Sequence, residues 1–251
     1  MRSGGGSVDL GRLAGAYGYR AEQAATGRAA LAADAAHLSA GKVAIDIGGG
    51  TGTHTAVFAG RGARVFIVDL SPDMALRAQR SGHAVVVGDG AALPIASATV
   101  DLVYFHLSIH HGDPERWIAE AARVVRPGGM VWVWTLAPEH LRSSFLTRWF
   151  PSVAAIDEHR FPDPDRLAAS MAESGLGMAE QSTHTERITR TAGSWVAAVG
   201  AGFVSTLHLL DPSEVASGVA AFTAAHPDPD EVVDYDIAYR RVSSTRPSLP
   251  S

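Results

Sequence analysis

Between residues 43 and 135, short apolar runs alternate with stretches of helical character. Val43-Ala44-Ile45-Asp46-Ile47 is an apolar run bounded by glycines, the pattern of a strand buried on both faces. Gly48-Gly49-Gly50-Thr51-Gly52 follows, and Thr53 to Ala59 reads as a helix stopped by Gly60 and Gly62. Val65 to Asp69 is the next strand. Ser71 then offers an N-cap and Pro72 a first helical position, which predicts a helix over 72–80. Ala84–Val87 and Val100–Phe105 are further strands, and Asp113-Pro114 opens a helix that runs to about Val125. Arg126-Pro127-Gly128-Gly129 ends it before a fifth strand over Met130–Thr135. Strand–helix–strand repetition of this kind implies a parallel sheet with right-handed crossovers and helices on both faces.

Outside that stretch the rhythm differs. Residues 1–8 are Ser/Gly-rich and are expected to form a flexible leader, and 9–40 are Ala-rich at loosely helical spacing, which predicts short helices. Residues 138–164 are dense in aromatics, prolines and charges, and a lid or insertion is expected there. Helices are predicted over 165–174, 192–210 and 212–225, a polar strand over 180–191 and a last strand over 233–242, with a loose tail over 243–251. With no repeat and no sign of a second core, residues 9–242 read as one α/β domain.

Composition narrows the chemistry. There is no cysteine, so thiolate nucleophiles, thiolate metal sites and disulfides are excluded. A net charge of -5 gives no general pull toward nucleic acid. No run of about 18 apolar residues suggests a membrane span, and the first residues lack the apolar stretch of a secretory signal. A cytoplasmic enzyme acting on a small molecule fits, with a homo-oligomer left open.

Ligands of open α/β sheets bind beyond the carboxyl ends of the strands, where strand order reverses. Asp46 lies in the first strand, Asp69 closes the second and Asp89 follows the third. Gly48, Gly50 and Gly52 let the backbone approach a ligand and expose N–H groups at a helix start. A carboxylate at the end of the second strand is placed to accept from both hydroxyls of a ribose, and one after the third can accept from the exocyclic amine of adenine. Each acid could also be only a turn cap or a polar strand end. Their order at successive strand ends is what makes a nucleoside pocket the better reading.

Residues 43–52 resemble the first motif of the class I S-adenosylmethionine (SAM)-dependent methyltransferases. Val68-Asp69-Leu70-Ser71-Pro72-Asp73-Met74 resembles their second motif and Gly88-Asp89-Gly90-Ala91-Ala92-Leu93-Pro94 their third. Asp101–Phe105 and Glu120–Gly129 are similar to the fourth strand and the turn before the fifth, and the branch resembled is the small-molecule one that includes quinone-biosynthesis enzymes. The resemblance implies a doubly wound, seven-stranded, mostly parallel Rossmann-like sheet with an antiparallel last strand. It implies SAM as donor and S-adenosylhomocysteine as product. Asp46, Gly48, Gly50 and Gly52 would then line the methionine part of the donor, Asp69 would hold the ribose, and Leu70 and Met74 would pack on adenine. Asp89, with Gly90 and Ala91, would meet the adenine amine, and His106 would face the sulfonium and the substrate. Gly49 departs from relatives that carry a larger residue there. Two alternatives stay open: a SAM-binding protein of this fold that transfers no methyl group, and a nicotinamide-dependent oxidoreductase. The latter's G-x-G-x-x-G fingerprint fails here, because the last position counted from Gly48 is Thr53.

His106, His110 and His111 flank the end of the fourth strand. His106 or His110 is a candidate to orient or deprotonate an acceptor, histidine being the side chain that titrates near neutrality. Equally, the cluster could only anchor the loop into the following helix. No carboxylate sits at ligand spacing beside it, so a metal is not expected. Tyr17, Tyr19, Trp149, Phe150, His159, Arg160 and Phe161 are candidates to cover the site, and Arg142, Arg148 and Arg160 to meet an acidic substrate.

Overall fold

The computed structural model describes Val8, Leu13, Ala16 and residues 38–248. The expected leader apart from Val8, most of the predicted N-terminal helices over 9–40, Tyr17 and Tyr19 lie outside the described residues.

The strands are β1 (Val43–Ile47), β2 (Arg64–Asp69), β3 (Ala84–Val87), β4 (Val100–His106), β5 (Val125–Leu136), β6 (Glu180–Thr191) and β7 (Val232–Thr245). They form one seven-stranded sheet in the order β3-β2-β1-β4-β5-β7-β6. β1 to β5 pair in parallel, β7 runs antiparallel to β5, and β6 runs antiparallel to β7. This is the doubly wound sheet that the sequence predicts. Strand order reverses between β1 and β4, where Ile47 faces Phe105 in register, so the crevice for a ligand opens beyond those two strands.

Apolar runs become strands here because both faces of the sheet are covered. Ile45, Ile47, Val103, Phe105, Val131 and Val133 point to one face, where they pack with Trp117 and Ile118 of α3 (Pro114–Val124) and Leu167 and Met171 of α7 (Pro164–Glu173). The alternate residues Ala44, Leu102, Tyr104, Trp132 and Trp134 point to the other face, with Phe58 of α1 (Thr55–Ala59). The predicted helix starts are built as read. Ser71 Oγ accepts from the amide of Met74 at the head of α2 (Pro72–Arg80), and Asp113 accepts from the amides of Glu115 and Arg116 at the head of α3.

Beyond β5 lie α4 (Pro138–Ser143), α5 (Phe145–Trp149) and α6 (Ser152–Arg160), which fill the segment expected to be a lid. α8 (Ala192–Ala201) and α9 (Pro212–Ala225) pack against them through Phe150, Trp195, Phe203 and Phe222. The helix predicted over 192–210 is broken: Gly202 takes a left-handed φ of 70°, and a 3-10 turn follows over Ser205–Leu209.

The tail also differs from expectation. Residues 243–246 are not loose, because β7 continues to Thr245 and Arg246 closes on the Arg126–Gly129 turn. The amide of Gly128 donates to the carbonyl of Arg246, and the amide of Arg246 to that of Gly129. The Arg246 guanidinium donates to the carbonyls of Ala122, Arg123 and Val125, which satisfies the open C-terminal end of α3. β5 itself reaches back to Val125, which pairs with Val100 of β4.

Candidate active site

A pocket of about 630 Å³, counting its open mouth, lies beyond the carboxyl ends of β1, β2 and β4. Its wall includes Gly48, Gly50, Asp69, Leu70, Met74, Gly88, Gly90, His106 and Trp117. The glycines are forced by close approach. A Cβ on Gly48, whose φ is +68°, would sit 2.4 Å from Cβ of Ser108, and one on Gly90 would sit 2.7 Å from the Trp117 ring. Ser108 cannot retreat, since its hydroxyl donates to the carbonyl of Ile47 at 2.6 Å.

Asp69 is buried at the end of β2. Its Oδ2 accepts from the Gly50 amide at 2.9 Å and its Oδ1 from the Ser71 amide at 2.8 Å. Burial pushes the carboxyl above its ordinary pKa, and the two amides oppose that shift. A carboxylate offers about four lone-pair sites, so both oxygens keep capacity for hydroxyls of a ligand. That acceptor pair, beside a backbone stripped of Cβ atoms, fits a ribose with an extended amino-acid tail.

Asp46 and Gly52 stand behind this wall rather than in it. The pleat sends Asp46 to the opposite face from the lining residue Ile47, where Thr55 Oγ1 donates to its Oδ2 at 2.8 Å. It is 1% exposed, and burial, with the Asp69 charge nearby, raises its pKa to about 7. Asp46 thereby ties β1 to α1. It also explains Gly49, where a Cβ would lie 2.7 Å from the Asp46 carboxyl. Gly52 faces the His83 ring, which a Cβ would meet at 2.3 Å. Asp89 lies at the rim, exposed, and its Oδ1 accepts from the Ala91 amide at 2.9 Å and from Trp117 Nε1 at 3.1 Å.

His106 and Leu107 line a second, larger cavity as well, of about 1260 Å³ counting its mouth. Leu107 has a left-handed φ of 48°, a strained position for a non-glycine residue, held where the two spaces meet. The His106 ring lies 3.9 Å from that of His54, and its Nδ1 is 3.0 Å from the Tyr104 hydroxyl. His110 lines only the larger cavity, its ring 4.0 Å from Phe161, while His111 lines only the smaller one. His140, on α4, accepts from the Ala238 amide at Nδ1, and burial lowers its pKa to about 4. Phe145, Phe161, Trp195 and Phe203 give the cavity its apolar walls.

A family description reading "Methyltransferase domain" matches residues 45–133. The malonyl-[acyl-carrier protein] O-methyltransferase of Hahella chejuensis is 34% identical over 139 residues, which are 53% of this chain and 50% of that one. The demethylmenaquinone methyltransferase of Corynebacterium kroppenstedtii is 31% identical over 160 residues, covering 61% of this chain and 68% of that one. The chain belongs to the class I SAM-dependent methyltransferase family. It spans about half the length of several curated relatives it matches. Among solved structures, a protein described as a candidate methyltransferase from an antibiotic biosynthesis pathway of Anabaena variabilis shares the fold. Its TM-score is 0.68 at 20% identity, over 89% of this chain and 99% of that one. Membership in this methyltransferase family removes the nicotinamide alternative.

The methyltransferase motifs bring Gly48, Gly50, Asp69, Leu70, Met74, Gly90 and His106 to one pocket. Sequence reasoning gave no site role to Trp117 and His111 in that pocket, or to His54, His140, Asp157 and Trp195 in the larger cavity. His140 falls in the expected cover, but Trp195 lies far along the chain and carries no local signal. Of the aromatics expected there, Phe161 lines the cavity. Phe150 is buried against Trp195, Trp149 packs edge-on to Phe222, and His159 is exposed. Arg142 is paired with Glu158 and Arg148 lies over Trp149, so neither faces the cavity.

Proposed function

We propose that this protein transfers a methyl group from SAM to a small-molecule acceptor bound in the larger cavity. The observation that carries the proposal is the shared wall: His106 and Leu107 border both the glycine-lined pocket and the apolar cavity. In this reading Asp69 accepts from the ribose hydroxyls, Leu70 and Met74 pack on adenine, and Gly48 and Gly50 pass the amino-acid tail. Asp89 and Gly90 close the adenine end through Trp117, with Ala91 beside them. When bound, the donor supplies an electrophilic methyl group on a cationic sulfur.

The chain's own residues then align the acceptor and exclude water. The apolar walls desolvate it, and His106 takes the proton that a hydroxyl or amine acceptor must lose. The Tyr104 hydroxyl, 3.0 Å from Nδ1 of His106, orients the ring for that role. His110 orients the acceptor from the cavity side. Residues 9–242 act as one domain, with 138–164 as its cover. The setting we assign is cytoplasmic, with a small molecule and not nucleic acid as partner. Among the described residues no helix is long and apolar enough to cross a membrane.

The test is to incubate the purified protein with SAM and a panel of hydroxyl, amine and carbon acceptors and to follow S-adenosylhomocysteine. Turnover with at least one acceptor, lost in His106→Ala while donor affinity is kept, is expected. Donor binding with no product from any acceptor class would leave a binding protein and not an enzyme.

A further inference from the structure

The larger cavity is apolar over most of its surface, yet one wall carries a carboxylate. Asp157, on α6, is 7% exposed and lines the cavity. Its Oδ1 accepts from the Thr206 hydroxyl, and the Arg160 guanidinium stands 3.8 Å from the same oxygen. Among the described residues, the hydrogen bond and the ion pair of this carboxylate both fall on Oδ1. Arg160 is itself turned to the hydroxyls of Thr206 and Ser205, at 2.9 and 3.0 Å, and does not line the cavity. The protein thus holds Oδ1, on a side chain that borders the space an acceptor would fill. Carboxylates held in apolar surroundings are costly unless a donor completes them.

The rest of the lining has the same sign. Glu186 on β6 is a second carboxylate, and among the described residues no lysine or arginine borders the cavity. His140 stays neutral at physiological pH, because burial holds its pKa at about 4. Two carboxylates, with no lysine or arginine among the described lining residues, set this wall against a carboxylate or phosphate on the ligand. We infer that Asp157 is a recognition residue for the acceptor, which is an apolar molecule carrying a hydroxyl or ammonium donor and no anionic group. This rests on the proposed function only in calling the ligand the acceptor, and Asp157 acts by binding, remote from methyl transfer.

The probes are naphthylmethylamine, naphthylmethanol and naphthoate, titrated by calorimetry onto the full chain in mildly alkaline buffer, with and without S-adenosylhomocysteine. The amine and the alcohol are expected to bind at least about tenfold tighter than the carboxylate, the size of one hydrogen bond to a charged group. Asp157→Asn keeps an oxygen for Thr206 but presents an amide to the cavity. It is expected to erase or invert the preference while leaving nucleoside affinity unchanged. Equal or tighter binding of naphthoate to the wild-type protein would overturn the inference. So would an unaltered order of the three probes in Asp157→Asn, or no binding by any of them. Failure of S-adenosylhomocysteine to bind would strike the proposed function instead, since the probe order is read without it as well.

Discussion

The two spaces that meet at His106 are built from different materials. The smaller pocket has bare backbone in its wall, at glycines 48, 50, 88 and 90, beside Asp69 held by two amides. The larger cavity is made of side chains, drawn from β4, α4, α6, α8 and β7. A backbone pocket tolerates almost no substitution, since one added carbon at Gly48 collides at 2.4 Å. A side-chain cavity can be resized one residue at a time without moving the sheet. Under the proposed function, the first space holds the methyl donor and the second chooses the acceptor.

That division can be broken at its strongest point by Gly48→Val. The left-handed φ and the contact with Ser108 should abolish nucleoside binding altogether and destabilise the fold by at least about 2 kcal/mol. Gly82→Ala, also at positive φ but with nothing within 4 Å of its Cβ, should cost stability alone. Calorimetry and urea melts of both variants decide it, and retained binding in Gly48→Val would mean that the pocket is not the donor site.

His106→Ala is the next largest. Loss of a proton acceptor should lower kcat by roughly 100-fold, with donor affinity within a few-fold of wild type. Near-full turnover would leave His106 a mere wall residue.

The halves also titrate in opposite senses. His140, beside the cavity, has an ordinary pKa of 6.5 and a folded value of about 4, so between those values only the unfolded chain takes up the proton. Its contribution is complete above pH 6.5 and is lost as pH falls toward 4, by up to about 3 kcal/mol. Asp46, beneath the glycine loop, goes from an ordinary 3.8 to about 7, so the folded state holds the extra proton. Its contribution is complete below pH 3.8 and is lost as pH rises through about 7. Acidification should therefore stabilise His140→Gln relative to wild type and destabilise Asp46→Asn. Urea midpoints across this range check the signs, and parallel profiles for all three proteins would contradict them.

Smallest is Phe145→Ala, which enlarges the cavity without touching the donor pocket. It should raise the KM of a bulky acceptor about tenfold, the scale of a few lost methylenes, with donor affinity unchanged.

The same contrast explains what could be read from the chain. Backbone pockets leave local motifs, so residues 43–52, 68–74 and 88–94 announced the doubly wound sheet and most of the glycine-lined pocket. What local spacing could not show was depth. Asp46 looked like a lining residue, and only the pleat, with Thr55 beyond it, reveals that it faces away. The tail looked loose because nothing near Ser243 signals that Arg246 will close on the carbonyls of Ala122, Arg123 and Val125. The larger cavity was least legible, since Asp157 meets Thr206, and Phe150 meets Trp195, across dozens of residues.

The most direct measurement is a calorimetric titration of SAM onto the wild-type protein and Asp69→Ala. Removing the carboxylate that gathers the Gly50 and Ser71 amides should weaken binding by at least about 100-fold, the cost of charge-assisted hydrogen bonds lost at one buried group. Equal affinity in the two proteins, or no heat in either, would contradict the assignment of the glycine-lined pocket to the methyl donor.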